Sequence, residues 1–180
     1  RYYEETGDIP GTLARMPPGQ TRERLILKAL HRHGRDKYGC TQALLSLPYS
    51  ARLLYAHSYT SLAWNHAASA RVRLYGSTRV AAGDLVYDSQ SASSQTPIDK
   101  CAVRVVSEDD AGSGKYSMAD VVLPLPGYSV IYPENKIADS YQGTLNSDRL
   151  RAEDFRLRKL GLSLPGAYRK LVAFPTGIAW

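Results

Sequence analysis

Apolar and polar positions change rhythm near residue 76. Before it, apolar side chains recur every three to four residues. After it they come in short runs broken by glycine and proline. The longest uninterrupted stretch is PYSARLLYAHSYTSLAWNHAASARVRLYG, from Pro48 to Gly76. Pro48 and Ser50 supply a helix start and Gly76 a stop. No proline or glycine falls between, and alanine and leucine dominate, so the pattern predicts one long helix. At about 100° per residue, Leu54, Ser58, Ser61, Asn65, Ser69 and Val72 share a stripe roughly 80° wide. That stripe is mostly small and polar. Leu53, Tyr55, Tyr59, Leu62, Ala63, Trp64 and Ala67 spread over the other faces, which predicts a core helix apolar on most sides. Its polar stripe then needs partners, either backbone groups of a neighbouring element or something bound.

The rest of the first 76 residues also reads as helix. Arg22–His33 places Leu25, Ile26, Leu27 and Leu30 on one broad face, with Arg22, Arg24, Lys28 and Arg32 around the remainder, and stops at Gly34. Cys40–Leu47 predicts a short helix ended by Pro48, and residues 12–16 a turn or two of helix before Pro17 and Pro18. Beyond Gly76, short β-prone runs follow at 82–87, 102–106, 121–125 and 129–132. Residues 89–97 (SQSASSQTP) read as a loop and 108–114 as a turn. A helix is predicted over 135–145, with Ile137, Tyr141 and Leu145 on one side. Residues 148–160 read as a basic helix or an extended linker. Tyr168–Phe174 is the clearest strand, with Leu171, Val172 and Phe174 as buried candidates. The predicted fold class is α+β.

Length and composition narrow the function. At 180 residues and 43% hydrophobic, the chain fits one domain, or one with a sub-domain, around a real core. No apolar run is long enough to cross a membrane, and no leader segment is visible. The start at Arg1 suggests an excised fragment. Cys40 and Cys101 follow no metal or redox spacing and read as free thiols in an intracellular setting, with a disulfide as the alternative. The net charge of +6 is unevenly spread: +7 over residues 1–79, −6 over 80–148 and +5 over 149–180. If the basic ends meet, they form a face that attracts phosphates; otherwise they are ordinary solvated surface.

Few motifs survive inspection. GSGK at 112–115 lacks the distal glycine and the following Ser or Thr of a phosphate loop, and Glu108, Asp109 and Asp110 repel phosphate. His31, His33, His57 and His66 form no i, i+4 pair suited to a metal. No GxSxG elbow supports a serine hydrolase. Tyrosine is abundant, at 13 residues, and Tyr55 and Tyr59 serve either core packing or base stacking.

Four stretches are informative together: LLYAHSYTSLAWN at 53–65, AGDLVY at 82–87, VVLPLPGYSVIYP at 121–133 and PGAYRKLVAFP at 165–175. In this order and spacing they resemble the TruD family of RNA pseudouridine synthases, nearer its eukaryotic branch. The resemblance implies three parts. Residues 1–76 would be a helical part of the synthase core, with the long core helix. Residues 77–165 would be a small mixed α/β insertion domain, facing the catalytic domain across an RNA-holding cleft. Residues 166–180 would be a strand returning to the catalytic core. It also implies isomerisation of uridine to pseudouridine in tRNA or other RNA, mRNA included. No cofactor, metal or membrane would be involved, and the nucleus or mitochondrion are candidate compartments. The expected RNA-binding or pocket-lining residues are Arg52, Tyr55, Ser58, Ser61, Asn65, Arg169 and Lys170. The family nucleophile is an aspartate on an upstream motif that this chain does not match. None of Asp84, Asp88, Asp99 or Asp120 stands in such a motif, so no catalytic residue is assigned and the fragment alone is expected to be inactive. A further strand of the catalytic sheet is expected after Trp180. The alternatives are a non-catalytic RNA-binding relative, and a protein-interaction module built on the acidic 84–120 segment and the SQSASSQ loop.

Overall fold

Two short aspartate caps set the start of the fold. Asp8 accepts a hydrogen bond from the Gly11 amide at 3.1 Å, and Asp36 accepts one from Gly39 at 2.8 Å. Each carboxylate satisfies an amide that the helix itself leaves open. The helices they start are α2 (Ile9–Arg15) and α4 (Lys37–Leu45), set among α1 (Tyr2–Thr6), α3 (Thr21–His33) and α5 (Tyr49–Tyr75). The computed structural model describes residues 1–88, 100–175 and 177. It divides into two compact units, and the long α5 contributes to both.

The first unit comprises Arg1–His57 and Leu157–Leu162. Its core holds Ile9, Leu27, Ala43, Leu47 and Ala51. Helices α3 and α4 pack closely, because a side chain at Gly39 would meet the Gly34 carbonyl oxygen at 2.0 Å. Arg24 ties α3 back to α2, donating to the carbonyls of Leu13 and Met16 at 2.8 and 3.0 Å. A short 3-10 turn, Arg158–Leu160, packs against α4.

The second unit comprises Ser58–Arg156 and Ser163–Trp180. Its centre is an antiparallel sheet of β1 (Leu85–Tyr87), β2 (Val103–Val105), β3 (Val121–Leu125) and β4 (Ala167–Lys170), in the order β2-β1-β3-β4. Register places Leu85 opposite Val105 and Val122, and Leu123 opposite Arg169. Alternation then separates the strands into two apolar faces. On one, Leu123 packs with Ala67 and Trp64 of α5 and with Ile137 and Tyr141 of α7 (Ile137–Ser147). On the other, Leu85, Val103, Val122 and Tyr168 cluster. The Tyr141 hydroxyl donates to the Pro124 carbonyl at 2.7 Å, tying α7 to β3.

The α+β class and the long helix agree with the sequence reading, and Ile137, Tyr141 and Leu145 line the buried side of α7. Four details differ. Residues 108–113 form a short helix, α6, because Ser107 caps it through the Asp110 amide and Gly114 ends it in the left-handed region. Residues 129–132 join no strand: Ile131 instead gives its amide to the Tyr168 hydroxyl. Residues 148–160 hold only two 3-10 turns, Ala152–Phe155 and Arg158–Leu160. The last strand stops at Lys170, and Phe174 is 65% exposed rather than buried. The expected loop at 89–97 lies outside the described residues.

Helix α5 is also less enclosed than its apolar content predicts. Ala51, Thr60, Ala63, Ala67 and Arg71 are its buried positions, whereas Leu54, Tyr55, Leu62, Val72 and Leu74 are exposed. From Thr60 onward the buried positions share one face, small except for Arg71. It allows a close approach that larger side chains would prevent.

Candidate functional site

The Ala63–Ala67 face of α5 continues one turn later into Arg71, which is fully buried. A guanidinium in that position needs every donor satisfied. Arg71 Nε and Nη2 meet both carboxylate oxygens of Asp84 at 2.7–3.0 Å. Nη1 donates to the Gly76 carbonyl at 2.7 Å and Nη2 also to that of Arg79 at 2.8 Å. Asp84 in turn accepts from the Ala81 amide and from Asn135 Nδ2. One ion pair thus fixes the end of α5, the loop behind it, the start of β1 and the approach to α7. Sequence reasoning passed over Arg71. The available signal was an arginine on the same helical face as Ala63 and Ala67.

This network positions the opposite end of the sheet against α5. The Trp64 indole Nε1 donates to the Leu123 carbonyl at 3.1 Å, anchoring the helix over β3. The edge strand β4 then carries Arg169 over the Trp64 ring, its guanidinium carbon 5.2 Å from the centroid. Such stacking holds a cation in place while leaving its donors outward. Arg169 and Lys170 are exposed and form no ion pair among the described residues. As strand neighbours they point to opposite faces. Only Arg169 lies on the α5 side of the sheet.

The expected residues of α5 fall as follows. Ser58, Ser61, Asn65 and Ser69 lie on the side opposite the buried face. The side chains of Ser61 and Asn65 have no hydrogen-bond partner among the described residues, so neighbouring backbone does not account for their polarity. Asn65 directly follows the stacked Trp64. In the first unit, Arg52 is half-buried and donates from Nη1 to the Leu45 carbonyl at 3.0 Å, closing the C-terminal turn of α4. Tyr55 is 46% exposed. Tyr59 in the second unit is instead engaged. Its hydroxyl donates to Asp148 at 2.8 Å and its ring packs on Phe155. Partial burial, then the Asp148 carboxylate, push its pKa up to about 12.

Three of the four aspartates that stand in no nucleophile motif are described. Asp84 is consumed by Arg71. Asp88 lies 3.8 Å from Arg104, and Asp120 accepts from the Ser117 amide and hydroxyl. Asp99 lies outside the described residues.

The family profile of tRNA pseudouridine synthase D (TruD) matches residues 1–178. The chain belongs to the TruD family. It is 40% identical to pseudouridylate synthase PUS7L of Homo sapiens, over all of this chain and 25% of that protein. It is 34% identical to the pseudouridylate synthase 7 homolog of Homo sapiens, over 99% of this chain and 24% of that one. It is also 34% identical to multisubstrate pseudouridine synthase 7 of Schizosaccharomyces pombe, over 96% and 27%. The chain therefore spans about a quarter of the length of these relatives. Its fold is that of the Methanosarcina mazei crystal structure provisionally described as tRNA pseudouridine synthase D. The TM-score is 0.74 at 18% identity, covering 94% of this chain and 39% of that one.

The stretches that carry the TruD resemblance have physical reasons in the fold. In AGDLVY, Gly83 has φ +78° and a Cβ there would meet the Asn135 amide at 2.8 Å, while Asp84 receives Arg71. In VVLPLPGYSVIYP and PGAYRKLVAFP, Gly127 and Gly166 touch backbone to backbone. A Cβ on Gly127 would stand 2.1 Å from the Gly166 nitrogen. Glycine is needed in each place so that two segments can meet.

Proposed function

We propose that this chain is part of an RNA pseudouridine synthase, isomerising uridine to pseudouridine, and that it supplies RNA-facing surface and pocket wall but not the nucleophile. Family membership over nearly the whole chain carries the reading, since each curated relative named above is a pseudouridine or pseudouridylate synthase. The reaction breaks the N1–C1′ bond of uridine, turns the base, joins C5 to C1′ and releases the C5 proton, while the freed N1 takes one up. The composition is unchanged and no electron is transferred to an outside acceptor. Within the family an aspartate acts covalently. The engagement of Asp84, Asp88 and Asp120 supports a nucleophile elsewhere in a full-length protein.

The target uridine has to leave its stack to be reached, so its flanking backbone must be held. Arg169, fixed on Trp64, is the best-placed group for this, with Lys170 on the other face of the same edge strand. Ser58, Ser61 and Asn65 offer polar contacts along α5, and Arg52 and Tyr55 do so from the first unit. In this reading residues 1–76 are part of the synthase core, 77–165 are the insertion domain and 166–180 return to the core. The substrate class is RNA, with tRNA and mRNA as candidates. Two exposed thiols, Cys40 and Cys101, suit a reducing intracellular compartment, nucleus and mitochondrion included.

The test uses RNA tritiated at uridine C5. The isolated chain releases no tritium, whereas a full-length protein containing it does. Release by the isolated chain would place the nucleophile within residues 1–180 and overturn the division of labour. RNA binding by a full-length protein without release would make it a non-catalytic RNA-binding relative.

A further inference from the structure

A cleft of about 600 Å³ opens among α2, α3 and α4, within the first unit, and is lined by none of the residues assigned above. Its volume lies in the range of small-ligand sites. Leu25 and Leu45 give it an apolar floor, and Gln42 and Ser46 add neutral hydrogen-bonding groups. Lys28 and Arg32 stand on its rim, one helical turn apart on α3. Like charges at that spacing repel. Neither forms an ion pair or a side-chain hydrogen bond among the described residues, and no carboxylate lines the cleft. A second depression shares Gln42 and Leu45 with it and leads on to Lys37 and Lys159. Its one carboxylate, Asp36, is committed to the Gly39 amide.

We propose that this cleft holds one unpaired nucleotide of an RNA strand, other than the reacting uridine. The phosphate bridges Lys28 and Arg32 and relieves their repulsion. The base or ribose covers Leu25 and Leu45, where the Gln42 amide can both donate and accept. The neighbouring lysines favour a continuing strand over a free anion, because they offer the next phosphate a counter-charge. The proposal rests on the reading of the chain as RNA-binding and adds a contact that this reading does not require.

The test is fluorescence anisotropy of the 180-residue chain with a short fluorescein-labelled single-stranded RNA, across a salt series. The variant Lys28→Gln with Arg32→Gln is expected to bind more weakly. Its slope of log affinity against log salt should fall by about 0.7, the share of the one single-strand phosphate contact removed. Both side chains are exposed, and circular dichroism confirms that the variant folds. Unchanged affinity and slope would overturn the cleft proposal. If Arg169→Ala with Lys170→Ala weakens binding while the cleft variant does not, the cleft fails and the RNA reading stands. If the unaltered chain binds no RNA, both fall. Direct binding of inorganic phosphate to the unaltered chain in that case marks a free-anion site instead.

Discussion

Arg71 and Asp84 show what a single buried residue can govern. Both are almost wholly removed from water, at 0% and 1% exposure, and their hydrogen bonds reach four separate segments. Removing one partner leaves an uncompensated charge. Arg71→Met or Asp84→Leu alone is therefore expected to cost about 3–5 kcal/mol. The double variant should cost clearly less than the sum, and urea unfolding of all three proteins measures the difference. Tyr59 gives a pH prediction. Its pKa is raised to about 12, first by partial burial and then by Asp148, so the fold favours the neutral phenol. The contribution to stability is complete below the ordinary tyrosine value of about 10. It is lost as pH rises through 12, because the unfolded chain releases the proton first. Asp148→Asn should move the Tyr59 titration back toward its ordinary value of about 10, read from the carbon-13 shift of its ring Cζ. A titration unmoved by that change would show that Asp148 plays no part.

Individual elements repeat the contrast between space and conformation. Gly127 sits where another backbone passes, whereas Gly143 sits in α7 with nothing within 4 Å of where a Cβ would stand. Gly127→Ala should therefore destabilise by about 1–3 kcal/mol through overpacking. Gly143→Ala should stabilise by about 0.5–1 kcal/mol, because a helix-interior glycine is entropically costly. Thermal melts of the two variants moving in the same direction would contradict this account. Strand β4 supplies the second element-scale prediction. Arg169→Ala should weaken RNA binding more than Lys170→Ala, since Arg169 is held on the α5 side by Trp64. The loss should be similar across RNA sequences, as expected of a phosphate contact. Equal effects of the two variants would argue against a privileged α5 side.

At the scale of the whole molecule, charge and burial answer different questions. Basic ends of +7 and +5 around a middle of −6 would suit the RNA partner proposed above, and the salt dependence of RNA affinity tests that directly. The sequence by itself determined the helical first 76 residues, the long helix between Pro48 and Gly76, the buried face of α7 and the family, through four ordered stretches. Each is written in local periodicity, in capping and turn residues, or in motif order, none of which needs a contact distant in sequence. Only the tertiary structure decided which face of α5 is buried, because alanines and an arginine gain their burial from the strands that meet them. It alone turned Arg71 from a surface charge into a buried strut. It alone set Arg169 on Trp64, since that contact joins residues far apart in sequence through the β3–β4 pairing.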